Sequence, residues 1–228
     1  MYDVNPLLFG QTNNFITKAD NYGTQTNHWN GVEIGIAARV RQGLTFQGGT
    51  STGRTTTDNC EIRAKLPEMP GTAGLAPAAL NPYCHVEPPF RTQFKGLASY
   101  TIPKIDVQVS GAIQSLPGSQ LRADFSVLTT VVAQSLGRPL AGNQTSATIN
   151  LVQPGDVYGD RVNQIDIRAG KIVKFGRIRS QFSVDLYNAL NSSAIQTYNQ
   201  NFIANGAWLT PTLILPARFA KLTAQIDF

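Results

Sequence analysis

Arg218-Phe-Ala-Lys-Leu-Thr-Ala-Gln-Ile-Asp-Phe228 is the stretch whose reading decides the fold. Counting back from the carboxyl end, Phe228, Ile226, Ala224, Leu222 and Ala220 fall on one face of an extended strand, and Asp227, Gln225, Thr223 and Lys221 on the other. One wall is apolar and one is wet. A terminal strand of a soluble sandwich can look the same, yet about ten residues of such alternation is also the length that crosses a bilayer obliquely. Whether the rest of the chain repeats the pattern decides between them.

It does, six times. Val32, Ile34, Ile36, Ala38 and Val40 alternate with Gly31, Glu33, Gly35, Ala37 and Arg39, and after a tight turn at Arg41-Gln-Gly43 the series Leu44, Phe46, Gly48, Thr50 alternates with Thr45, Gln47, Gly49, Ser51. A third strand sets Phe94, Gly96, Ala98 and Tyr100 against Gln93, Lys95, Leu97 and Ser99. Beyond the turn Thr101-Ile-Pro-Lys104, a fourth sets Ile105, Val107, Val109, Gly111 and Ile113 against Asp106, Gln108, Ser110, Ala112 and Gln114. The fifth places Asn163, Ile165, Ile167 and Ala169 opposite Gln164, Asp166, Arg168 and Gly170. A brief linker at 171–176 leads to the sixth, Ile178, Ser180, Phe182, Val184 and Leu186 against Arg179, Gln181, Ser183, Asp185 and Tyr187. Residues 1–28 read mostly as a loop leading in, and 56–90, 116–158 and 189–215 as long loops punctuated by Pro and Gly. Within the second, Val127 to Val132 and Ala147 to Val152 read as local strands.

Short turns and long loops alternate, so all short turns lie at one end and all long loops at the other. Outer-membrane barrels have that asymmetry, with short periplasmic turns and long extracellular loops. The polar side collects Glu33, Arg39, Lys95, Asp106, Asp166, Arg168, Arg179, Asp185 and Lys221, which suits a wet lumen. The expected class is all-β: an antiparallel up-and-down transmembrane β-barrel segment. Seven strands leave both sheet edges open, and single-chain barrels have even strand numbers of eight or more. The expectation is therefore that residues 1–228 are the carboxyl-terminal part of a larger barrel domain.

Composition fits. The 228 residues are 42% hydrophobic and only 14% charged, with 20 glycines, a β-rich and turn-rich balance. The formal charge of +5 comes from scattered Lys and Arg, which is no nucleic-acid stripe. No apolar run is long enough for a transmembrane helix, and Met1-Tyr-Asp-Val-Asn-Pro6 lacks the features of a signal peptide. Cys60 and Cys84 share one long loop, and a disulfide is the natural reading in an oxidising space. It would close about 25 residues, worth about 3 kcal/mol in the chain-entropy model; two free thiols are the bland alternative. Gly49-Thr-Ser-Thr-Gly53 formally fits a nucleophile elbow, but no helix follows and Ser51 sits in an alternating strand, so no catalysis and no cofactor are expected. The spacing of His28 and His85 around the cysteines matches no common zinc pattern. Trp29, Tyr100, Trp208 and Phe228 are candidates for interfacial aromatic girdles.

Several segments resemble the carboxyl-terminal end of TonB-dependent outer-membrane receptors, nearest the Oar-like branch with its carboxypeptidase-regulatory-like domain. They are Ala19-Asp-Asn-Tyr-Gly23, His28-Trp-Asn-Gly-Val32, Gln42-Gly-Leu-Thr-Phe-Gln-Gly-Gly-Thr-Ser-Thr-Gly-Arg54 and Asp58-Asn-Cys60. Pro82-Tyr-Cys-His85, Gly96-Leu-Ala-Ser-Tyr-Thr-Ile-Pro103, Tyr158-Gly-Asp-Arg161 and Asp185-Leu-Tyr-Asn-Ala-Leu-Asn191 extend the resemblance over nearly the whole chain. The ending in Phe228, with Ile226, Ala224 and Leu222, is shared by many outer-membrane barrels as an assembly signal. The resemblance implies a plugged barrel in the bacterial outer membrane, taking up a nutrient with energy relayed by the TonB complex. The partners it implies are outer-membrane lipid, the barrel-assembly machinery, and the preceding strands and plug of a parent chain. The plug and the TonB-contacting segment are not recognisable in this sequence. A soluble β-sandwich binding or adhesion module, and a complete small porin, remain as alternative readings.

Overall fold

A computed structural model describes residues 3–11, 16–41, 43–66, 79–80, 82–176, 178–204 and 206–227. Its elements in chain order are β1 (Thr26–Arg41), β2 (Leu44–Asp58), the short helix α1 (Cys60–Lys65), β3 (Ala79–Leu80), β4 (His85–Val86), β5 (Arg91–Ile102) and β6 (Val107–Leu116). There follow β7 (Asp124–Leu128), α2 (Thr129–Leu136), β8 (Ser146–Asn150), β9 (Val162–Phe175), β10 (Ile178–Tyr187), β11 (Ile195–Tyr198), β12 (Pro211–Ile214) and β13 (Phe219–Asp227). Among the described residues no helix is long and apolar enough to cross a membrane.

The protein is mostly antiparallel β-sheet. One large sheet runs in the order β1-β2-β5-β6-β9-β10-β13, so each long strand pairs with its predecessor and successor among the long strands, and β4 adds to the outer part of β2. Among the described residues β1 and β13 each pair along one edge only. The strands keep their alternation in phase. Ala38, Phe46, Ala98, Gly111, Ile167, Leu186 and Ala220 form one continuous cross-strand row. The adjacent row is Arg39, Thr45, Ser99, Ser110, Arg168, Asp185 and Lys221. A slip of one residue in any pairing would exchange these rows.

Three connections at one end are short: the chain passes directly from Arg41 to Leu44 through Gly43 (φ 84), from Ile102 to Val107, and from Phe175 to Ile178 past Gly176 (φ 57). The positive φ angles favour glycine at two of them. The other end carries the long connections, and they hold more structure than the sequence predicts. β2 continues to Asp58, α1 follows, β11 and β12 form a hairpin, and β3, β8 and β7 make a small second sheet. Val127 to Val132, read as a strand, is strand only to Leu128 and then enters α2. The helix ends at Gly137, whose left-handed backbone (φ 75) lets its N–H close on the Ala133 carbonyl at 2.9 Å, and it buries Val132. The linker read at 171–176 is mostly strand, since β9 runs to Phe175.

The buried apolar side chains lie largely in this outer region: Ile62, Val86, Leu121, Ala123, Val132, Leu140 and Leu215. The strand residues of the apolar rows stay open, with Val32 64%, Ile34 57% and Leu222 79% exposed. No described element covers that side of the sheet.

Buried asparagines hold the outer region together, and Asn188 also ties it to the large sheet. Asn150 accepts from the N–H groups of Ala123 (3.1 Å) and Val152 (3.2 Å) and donates to the Val152 carbonyl (2.7 Å). Asn188 takes a left-handed conformation (φ 49), donates through Nδ2 to the carbonyls of Ser192 and Pro216 at 2.8 Å each, and accepts from the Ser192 N–H at 2.9 Å. One side chain thus staples both ends of the third long connection. Asn188→Ala leaves two carbonyls and one N–H without this partner, and should cost about 2–3 kcal/mol. Hydrogen exchange should show faster opening across 188–218 while β5 and β6 stay protected; uniform protection in the variant would rule out the staple.

Candidate functional site

The polar side of the large sheet is the candidate site, because it gathers the ionisable and amide side chains that the alternation sorts to one face. Seven of them are glutamines, Gln47, Gln93, Gln108, Gln114, Gln164, Gln181 and Gln225, all in strand positions of that face. They link across strands. Gln114 donates to Gln164 at 2.9 Å, Gln164 donates to both oxygens of Asp166 at 2.9 and 3.1 Å, and Asp166 accepts the Asn188 backbone N–H at 2.8 Å. On β1 and β2, Ser51 Oγ donates to Glu33 at 3.1 Å.

A second chain of bonds skips a strand. Gln181 on β10 donates to Gln108 on β6 at 3.0 Å, and Gln108 donates to Ser99 Oγ on β5 at 3.2 Å. The intervening β9 residue is Gly170, paired with Gln108 on one side and Ser183 on the other. A Cβ there would sit 3.1 Å from Gln181 Nε2 and 3.2 Å from Ser183 Cβ. The missing side chain opens the path over the strand.

Arg168 and Asp185 form a two-pronged pair, Nε to Oδ1 and Nη2 to Oδ2 at 2.9 Å, with Thr223 also on Oδ2 at 3.5 Å. Asp185 is only 3% exposed, so its charge depends on these partners. Lys221 pairs in register with Asp185 and completes the row. Where Glu33, Gly49, Gln93, Lys95, Gln114 and Asp166 meet, the face is hollow, with a volume of about 660 Å³.

Eight of the nine charges expected on this side, Glu33, Arg39, Lys95, Asp166, Arg168, Arg179, Asp185 and Lys221, occupy strand positions of this face. Asp106 does not. It lies in the turn before β6 with φ 47, where its carbonyl accepts from Ile172 and its carboxylate pairs with Lys174 at 3.6 Å. The alternation carries two residues too far, over Ile105 and Asp106, because Asp tolerates the left-handed turn conformation. Leu222, Ala224 and Ile226 stand on the apolar side of β13, while Phe228 lies outside the described residues. The aromatic candidates separate as well. Tyr100 is exposed on the apolar side, Trp29 shares the column of Glu33 on the polar side and lies over Gly31 and Gly53, and Trp208 belongs to the outer region. There Trp208 Nε1 donates to the Arg122 carbonyl at 3.0 Å, and its ring meets Phe202 edge-on at 5.4 Å.

Cys60 and Cys84 form a disulfide, with Cα atoms 4.8 Å apart. It fastens the start of α1 to the approach of β4, and β4 is clipped onto β2 by backbone pairs and by a charged cluster. His85 Nδ1 meets Asp58 Oδ2 at 2.8 Å, its Nε2 lies 3.7 Å from Glu87, and Glu87 pairs with Arg54. The Cys60 backbone N–H, then His85, holds the Asp58 carboxyl below its usual range. The Thr24 backbone N–H does the same for Glu61, tying the amino-terminal segment to α1 at 2.8 Å. Farther back, Asp3 pairs with Arg138 and accepts the Ala141 N–H at 3.0 Å, so the first residues also brace the second long connection. Among the described residues no group of three or more His, Cys, Asp or Glu side chains is arranged to hold a metal.

Sequence reasoning passed over Gly170 and Asn188. A glycine flanked by polar alternation, and a pair of asparagines three residues apart just after a strand, are the signals that mark them.

Two outcomes follow. Arg168→Met strands the Asp185 carboxylate and should cost about 2 kcal/mol, with Asp185→Leu on the same background recovering most of it, both read from urea midpoints. An unmoved midpoint in the single variant would show that the pair contributes nothing. The bond from Asp58 raises the His85 pKa above 6.5, so the clip gains stability fully below that pH and loses it as pH rises through the raised value. An NMR titration should place His85 above 6.5 and return it toward 6.5 in Asp58→Asn; equal midpoints would deny the contact.

In comparisons with family models, with curated proteins and with solved structures, nothing matches this chain.

Proposed function

We propose that the chain is part of the wall of an outer-membrane β-barrel, its apolar face toward lipid and its polar face toward a wet lumen. One observation carries the reading: seven strands in register present an apolar side that no described protein element covers. Val32 to Val40 spans about 27 Å along the strand, enough for an obliquely crossed hydrocarbon layer. Backbone groups in such a layer are satisfied only by helices or closed sheets, and here every inner strand is paired on both edges. The stagger of the rows points the same way: the row that starts at Arg39, beside the short turn of β1, reaches Lys221 near the long-connection end of β13. Strands that tilt in this manner suit a barrel wall. On this reading the short turns are periplasmic, the outer region with its disulfide is extracellular, and the free edges of β1 and β13 pair with further strands.

The narrower reading is the carboxyl-terminal portion of a TonB-dependent receptor-like transporter for nutrient uptake, without enzymatic chemistry, and it is supported by the sequence resemblance. The amide-rich hollow beside Lys95 and Asp166 would line the transit path or face a plug. A soluble sandwich would need a second layer over Val32, Ile34 and Ile36, and their exposure disfavours it.

A lysine on the two faces separates these roles. Ile34→Lys should weaken assembly of the gene product into phosphatidylcholine vesicles by about 2–4 kcal/mol, whereas Gln47→Lys on the other face should leave it nearly unchanged. Flotation on a density gradient reads the bound fraction. A wild-type protein that stays soluble and monodisperse without detergent or lipid would sink the membrane reading.

A further inference from the structure

On the polar face, glycines of β1 and β2 stand directly opposite each other in two places, Gly31 with Gly53 and Gly35 with Gly49. The first pair is covered. Trp29, the next polar-side residue toward the outer end of β1, lays its indole over both glycines, and a Cβ on either would run into the six-membered ring. The residue is still 49% exposed, so a broad part of the indole surface meets solvent. The second pair, about 13 Å farther along the strand, is bare. An added Cβ on Gly35 meets no described atom within 4 Å, and the three atoms nearest to one on Gly49 are backbone of Ile34 and Gly35. These two glycines floor the hollow of about 660 Å³.

The side chains around the bare pair have hydrogen-bonding groups to spare. Glu33 accepts from Ser51 through Oε1 at 3.1 Å and keeps Oε2, and Gln114 donates to Gln164 at 2.9 Å and keeps its carbonyl oxygen. Among the described residues the Gln93 amide and the Lys95 ammonium, both exposed, bond to no other side chain. The fixed charges of the hollow are Glu33, Asp166 and Lys95, two negative and one positive, so an anion gains no net attraction there.

We propose, resting on the reading of this face as a wet lumen, that it binds a neutral oligosaccharide, one ring stacked on Trp29 at the outer end and another seated on Gly35 and Gly49. A pyranose carries C–H groups on its faces and hydroxyls around its rim. Weakly positive C–H groups suit the negative face of an indole. Each hydroxyl both donates and accepts, as side-chain amides do. A single ring cannot reach both seats, whereas a chain of rings can.

The test uses the gene product that carries this chain, held in a detergent without a sugar headgroup and titrated calorimetrically with the hexasaccharides of glucose, mannose, galactose and xylose, and with hexagalacturonate as the acidic counterpart. At least one neutral hexamer should bind in the micromolar range, and hexagalacturonate about tenfold more weakly or not at all. Trp29→Ala should weaken binding about tenfold and Trp29→Tyr should restore most of it. Gln93→Leu, which leaves a hydroxyl unpaired, should also cost about tenfold. Gly35→Val suits a strand and meets no described neighbour, so it should keep the thermal midpoint while filling the floor and abolishing binding. No binding of any neutral hexamer, tighter binding of hexagalacturonate, or an affinity unmoved in Trp29→Ala or in Gly35→Val overturns the proposal. Flotation with vesicles tells its failure from that of the membrane reading: a protein that floats but binds no hexamer ends the sugar site alone. One that stays soluble without detergent or lipid, yet binds through Trp29 and Gly35, keeps the sugar site and ends the membrane reading.

Discussion

Register is the constraint on which the remaining structure depends. Six pairings hold seven strands so that every second residue falls in the same class across the sheet, and a single slip would place Arg168 and Asp185 among Ile167, Leu186 and Ala220. The short turns fix three of those pairings locally. The other three join strands separated by long stretches of chain, and there the alignment must come from the side chains: the Thr223–Asp185 contact at 3.5 Å between β13 and β10, the Gln114–Gln164 bond between β6 and β9, and the Thr52–Thr92 contact at 2.9 Å between β2 and β5. Polar cross-strand contacts thus do for this sheet what a packed core does for a sandwich.

The molecule divides its stabilising forces between two regions. The large sheet relies on backbone ladders and cross-strand polar bonds, with Ile172 as the buried apolar residue among the described side chains of its long strands. The outer region holds most of the buried apolar side chains, the disulfide and the buried, hydrogen-bonded Asn150 and Asn188. Water can reach the hollow beside Lys95, whereas the outer region is packed like an ordinary small core. That contrast follows from geometry: a one-layer sheet has no second layer to bury against, while connections folded upon one another do.

The faces of the strands were legible because period two leaves little else to specify, and each apolar series reads directly as a row. What was not legible lies where other physics takes over. Arg54-Thr-Thr-Thr-Asp58 is polar throughout, so the outer part of β2 shows no alternation, and its strand state is set by pairing with β1 and β4. Lys171 interrupts the apolar series of β9 and Ile172 its polar series, which hides the strand's continuation to Phe175. In Thr129 to Val132 the β-branched residues favour a strand, but the glycine cap and the burial of Val132 select a helix. The polar face was read as a set of separate charges, and its organisation into linked amides required the register, since Gln108 and Gln181 meet only across a residue that has no side chain.

The amino-terminal segment joins α1 through Glu61 and the second connection through Asp3, while Asn188 joins the third connection to Asp166 on the large sheet. Connections fastened in this way are not independent modules. An insertion that lengthens one is felt by its neighbours, so diversification of this surface must proceed by coordinated change, or by substitutions at exposed tips that leave the fastenings alone. The exchange of whole loops between relatives, a common route to new specificity, is closed to a surface built with its straps inside.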